Sequence, residues 1–183
     1  MDWIEEVQLR QKKKNQLLFR KDSAWLQDLT GLIQHQDRKV LILWAWELAA
    51  GAVLQLEKKY PGETRPREAL TASKDWAAGK IKMRAAQRRI LDCHGLAKEL
   101  CSREDIALCH AVGQACSVVH TAGHAIGYPL YELSAIVYRL GVEHCREAVE
   151  RRKQHYIDRL LFWETHLPDY GGEWADFLNG KKN

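Results

Sequence analysis

EDIALCHAVGQACSVVHTAGHAIGY, Glu104 to Tyr128, is the stretch from which the fold of this chain is read. Leu108, Val112, Ala115, Val119, Ala122 and Ile126 step by four and three residues, the apolar seam of a buried helix. Cys109, Gly113, Cys116, His120, Gly123 and Gly127 keep the same stepping beside it, a ridge of small residues along which a second helix can approach closely. The spacing predicts one long central helix with His120 and His124 a turn apart on its ridge.

Upstream of it, Asp37 is placed to cap a helix from Arg38 to Tyr60, about 33 Å long, that is apolar on nearly every side. Earlier still, Asp2 to Arg20 reads as a sparse amphipathic helix with a basic triplet, Lys12 to Lys14, which reads as a solvated face. A short helix then follows a cap at Asp22 or Ser23 and ends at Gly31. Pro66 suits the first turn of a helix that Gly79 closes, and Lys80 to Leu100 forms the next. Ser102 is placed to cap the central helix. Downstream, Pro129 predicts a break or kink and Gly141 a terminator. Glu143 to Thr165 is a last long helix, and Trp174 to Leu178 a short segment docking by Trp174 and Phe177. Val, Ile and Thr nowhere alternate with polar residues over a strand's length. The expected fold is all-α, a single-domain bundle of about seven or eight helices around a central apolar helix. It divides into an N-terminal helical extension (1–36), a core (37–141) and a C-terminal helix and tail packed on the core (142–183).

The chain's 183 residues suit one domain. Its 28 basic and 24 acidic residues, net +4, are interleaved along most of its length. That balance demands neither nucleic acid nor an anionic membrane as partner. The run Val40 to Leu56 is interrupted by Glu47, Gly51 and Gln55 and falls short of the roughly 20 residues that span a bilayer, so it reads as a core helix. Five cysteines, an odd number without a C-x-x-C pair, read as free, small apolar residues in a reducing cytoplasm. Asp2, Glu5 and Glu6 do not fit the basic start of a signal peptide.

Four segments form a recognisable set: DRKVLILWAWELA (Asp37 to Ala49), YPGETRPREAL (Tyr60 to Leu70), DWAAGKIKM (Asp75 to Met83) and HTAGHAIG (His120 to Gly127). In order and spacing the chain resembles the bacterial Imm-5-like immunity proteins over about residues 37 to 140. The resemblance implies an all-helical antidote that neutralises a cognate toxin by occupying it, without turnover and without a cofactor. Arg38, Trp44, Arg65, Pro66, Arg67, Trp76, Gly79, Arg88, His94, His120 and His124 match the family pattern, and Glu47 departs from it in place of a more usual Asp.

The sharpest candidates for chemistry are His120 and His124, which the helix would present together as two metal ligands, a third coming from His94, Cys116 or Glu47. No H-E-x-x-H or E-x-x-H accompanies them. Against the metal stand two other readings, core histidines bonded to a carboxylate or carbonyl, which the chain favours, and a polar ligand pocket. The rival to the immunity function is therefore a helical enzyme or small-molecule binder with a pocket of His94, His120, His124, Glu47, Arg65, Arg67 and Arg88. Arg65 and Arg67 either hold an anion at a helix start or clamp Glu47, Glu57 or Glu63 across a junction. Trp3, Trp163 and Trp174 are candidates to anchor a partner or a second copy of the chain.

Overall fold

The computed structural model describes residues 2–180. Among them are eight α-helices and four short 3-10 turns, with no strand. The helices are α1 (Trp3–Lys12), α2 (Gln27–Gln34), α3 (Arg38–Lys59), α4 (Arg65–Ala77), α5 (Met83–Leu96), α6 (Arg103–Ser117), α7 (Gly127–Leu140) and α8 (Arg146–His166). The bundle is all-α, and α6 sits inside it, packed against α3, α4, α5 and α7.

The 22-residue α3 begins where Asp37 accepts the backbone N–H of Lys39 at 2.7 Å. Every residue from Val40 to Trp46 is buried, followed by Leu48, Ala49, Ala52, Val53 and Leu56. Length alone does not exclude a membrane span for this helix, because its 22 residues are enough. Its most apolar window is 67% buried inside the bundle, so neighbouring helices satisfy its apolar surface. Polar side chains tie it down: Trp44 donates to the carbonyl of Tyr156 at 2.9 Å, and Trp46 donates to Ser73, whose hydroxyl donates to the carbonyl of Cys116. One chain of bonds thus links α3, α4 and α6.

The continuous helix expected over Glu104 to Tyr128 does not form. The helix capped by Ser102 stops at Ser117, and residues 118–126 cross over with a 3-10 turn at Ala122–His124 before α7 begins. Val118, Val119 and Thr121 are β-branched and Gly123 and Gly127 are flexible, a composition that weakens helix. Arg38 completes the break, its guanidinium donating to the carbonyls of Val119 and, at 2.8 Å, His120, which would otherwise lack partners. Pro129 accordingly breaks nothing. It lies in the first turn of α7, where a missing N–H costs no bond.

Other boundaries move as well, α5 starting three residues later and ending four earlier than the Lys80 to Leu100 expected. The first helix ends at Lys12 rather than Arg20, because Lys14 adopts a left-handed φ of 56°. Leu18 and Phe19 then turn inward, the Leu18 N–H donating to Ser134 on α7 at 3.0 Å. Gly31 lies within α2 instead of ending it. Gly79 and Gly141, with φ of 77° and 78°, close α4 and α7 as their positions suggest.

The tryptophans assigned to partner anchoring are used within the chain. Trp3 is 3% exposed in a cluster with Phe19 and Trp25, Trp163 donates to Glu47, and Trp174 stacks on Trp46 at 6.1 Å. Phe177 stacks on Trp76 at 5.9 Å, and the N–H of Ala175 donates to the carbonyl of Ala77 at 2.7 Å.

Candidate functional site

α5, α6 and the 118–126 crossover enclose a cleft of about 370 Å³. Trp76, Gln87, Ile90, Leu91, His94, Gln114, Ser117, His120 and His124 line it. α5 contributes His94, whose ring lies against the bare Cα of Gly113. A β-carbon at Gly113 would meet that ring at 2.2 Å. The ridge of small residues thus makes room for an imidazole rather than for a helix backbone. Gly127 does the same for Gln114, whose amide oxygen would lie 2.3 Å from a β-carbon there.

His94 Nδ1 is 2.8 Å from His110 Nδ1, so one imidazole donates and the other accepts. The His110 ring packs in turn on Tyr131, centroids 5.2 Å apart. His124 Nδ1 donates to the Gln114 amide oxygen at 3.0 Å. Burial, reinforced by His110 and His124, brings the pKa of His94 down to about 4. Burial lowers that of His110, and burial together with His120 lowers that of His124. At neutral pH these three rings are uncharged, and the cleft holds hydrogen-bonding groups in an apolar setting. His120 is exposed at its mouth and stacks on Trp76 at 6.1 Å, while Phe177 from the tail stacks on the same indole at 5.9 Å.

Of the residues proposed from sequence, His94, His120 and His124 come together and the rest do not. Glu47 faces α8, where it takes a forked pair from Arg159 (2.6 and 3.0 Å) and the indole N–H of Trp163. Arg65 joins Glu63 to Glu99, and Arg67 grips Glu57 at 2.7 and 2.8 Å, so both act as junction clamps. Arg88 is exposed on α5 and does not line the cleft. The pocket of three histidines, Glu47 and three arginines therefore does not assemble. His120 and His124 do not share a helix face, because the helix has ended before them. Among the described residues no group of three or more His, Cys, Asp or Glu is placed to hold a metal ion.

His110, Gln114 and Ser117 do belong to the cleft's surroundings, and their signal was present in the sequence. With Gly113 they step by three and four along α6, a polar stripe on a helix that is apolar beyond its charged first turn. The buried thiols stay outside the chemistry, since burial pushes Cys109 and Cys116 up to about 12 and Cys93 higher still.

A second buried polar group joins α3, α7 and α8. Glu132, 4% exposed, receives a forked pair from Arg152 (2.8 and 2.9 Å) and the hydroxyls of Tyr156 at 2.5 Å and Tyr128 at 3.0 Å. The Tyr128 hydroxyl also donates to the carbonyl of Leu48 on α3 at 2.7 Å, so every group has a partner, the signature of a structural network.

No curated protein and no solved structure matches the chain. A family model does, over residues 31–159, a wider span than the four motifs occupy and one that takes in most of α8 as well as the whole histidine cleft. The chain belongs to the family described as Imm-5 like putative immunity protein.

Proposed function

We propose that this chain is an immunity-type binding protein that neutralises a toxin by occupying it, and that it works in the cytoplasm without turnover. Membership of the immunity family over residues 31–159 carries the reading. The cleft supports it: His94 and His110 are engaged with each other, His124 is engaged with Gln114, and among the described residues no carboxylate orients any of the three as a general base. Such a recess is suited to receiving a side chain, because accepting an apolar group there strips water from no charge. A binding protein masks its target stoichiometrically, which separates it from an enzyme that disarms one. Titrating the purified chain against the toxin-like product encoded beside its gene is expected to abolish toxicity at an equimolar ratio with a co-eluting complex. Protection at strongly substoichiometric amounts, or no protection of cells expressing the product, overturns the reading.

A further inference from the structure

Lys80 to Leu91 carries Lys80, Lys82, Arg84, Arg88 and Arg89 and no acidic residue, more positive charge than the +4 of the whole chain. One of two acid-free runs with five or more cations, the other being Val7 to Lys21 with six, the segment spans the turn after α4 and the start of α5. All five cations are exposed. Arg89 pairs with Glu68 and Asp92, and Lys80 lies 3.9 Å from Asp75. Among the described residues Lys82, Arg84 and Arg88 make no ion pair.

Set among these cations are exposed apolar side chains, Leu91 at 67% and Met83 at 41%. Arg84, Arg88 and Leu91 step by four and three and share one side of α5. Leu91 also walls the histidine cleft. Met83 and Phe177 line a neighbouring recess of about 510 Å³, and Trp76 borders both. The two recesses meet at one indole, the second lined by Lys82 and Asp176 as well as by Met83 and Phe177, so charged and apolar side chains share a single face.

We propose that this face is the docking surface, and that its occupant is a protein segment with an apolar or aromatic side chain flanked by carboxylates. The side chain enters the cleft beside Leu91 and His120, and the carboxylates meet Lys82, Arg84 and Arg88. This identification of the partner's chemistry rests on the immunity reading. Three unpaired cations against the single carboxylate of Asp176 leave the face net positive and steer an acidic surface, and the buried apolar contact supplies the affinity. Nucleic acid satisfies the charge but leaves Leu91 and Met83 uncovered, which is why a protein fits better.

The test uses the full chain, Leu91→Glu, the double reversal Arg84→Glu with Arg88→Glu, and Arg151→Glu on α8 as a distant control, each confirmed as folded by circular dichroism. A random peptide display library selected on the immobilised chain is expected to enrich Leu, Phe or Trp flanked by Asp and Glu. Binding should fall about tenfold or more with Leu91→Glu, fall and lose its salt dependence with the double reversal, and stay unchanged with Arg151→Glu. Enrichment of basic peptides, no enrichment, or equal binding by Leu91→Glu overturns the proposal. So does an oligonucleotide held tightly by the native chain and by Leu91→Glu but released by the double reversal. Full toxin neutralisation by Leu91→Glu overturns this surface and leaves the immunity reading standing. Acidic-apolar peptides selected on this face by a chain that fails to neutralise the toxin leave the surface standing and overturn the immunity reading.

Discussion

The imidazole of His94 fills the volume that a side chain on Gly113 would need, with ring atoms at 2.2, 2.4 and 2.7 Å from the position of a β-carbon. The cleft therefore depends on a residue that contributes no atom to its chemistry. Gly113→Ala gains the helix propensity of alanine, about 1 kcal/mol, but has to drive His94 away from His110. Overpacking of this kind costs about 1–3 kcal/mol, so the net change is expected to be destabilising. Gly51→Ala in α3 is the control, because nothing lies within 4 Å of its β-carbon position. That variant should be stabilised by about 0.5–1 kcal/mol in urea unfolding.

Protonation of the histidine cluster should weaken the fold. His94 has a pKa of about 4 in the folded chain against an ordinary 6.5. Between those values the unfolded chain takes up a proton that the folded chain refuses, so the stability fully present above pH 6.5 is lost as pH falls toward 4. His110 and His124 are shifted the same way and add to the loss. Proton NMR titration is expected to place the His94 midpoint near 4. A midpoint at or above 6.5 would contradict the buried, mutually bonded pair.

The Glu132 network predicts a large, directional effect. Glu132→Ala leaves the Arg152 guanidinium and the Tyr156 hydroxyl without their acceptor, while Tyr128 keeps the carbonyl of Leu48. Loss of one partner of a buried pair costs about 3–5 kcal/mol, and the lower end applies because the Arg152 side chain keeps 26% of its exposure. Replacing Glu132 and Arg152 together should cost less than the sum of the two single changes, and a double-mutant cycle in urea measures the difference.

Thiol reactivity separates one cysteine from four. Cys101 is exposed, whereas Cys93, Cys109, Cys116 and Cys145 are buried. A disulfide reagent applied to the native chain at neutral pH should label a single thiol rapidly, and the remainder only after denaturant is added. Rapid labelling of Cys109 or Cys116 would show that α6 opens readily.

Much of the architecture was legible in the amino-acid order, because helix periodicity, caps and terminators are local. Asp37 and Ser102 cap the helices they precede, Pro66 opens α4, and Gly79 and Gly141 end theirs, each through backbone groups within a few residues. The stretch Glu104 to Tyr128 is where local reasoning failed. Its three-four stepping is real, yet the chain leaves the helix after Ser117 because Arg38, 81 residues away from Val119, supplies the donors that a broken helix end requires. Periodicity does not register a distant donor. The histidines divided in the same way. That polar groups on an apolar helix need partners followed from the sequence, but which groups meet was decided by how α5 lies on Gly113, and so His94 found His110 while Glu47 found Arg159. A helix's own stepping orders the side chains along it, and only packing between helices sets which of them come within a hydrogen bond's reach.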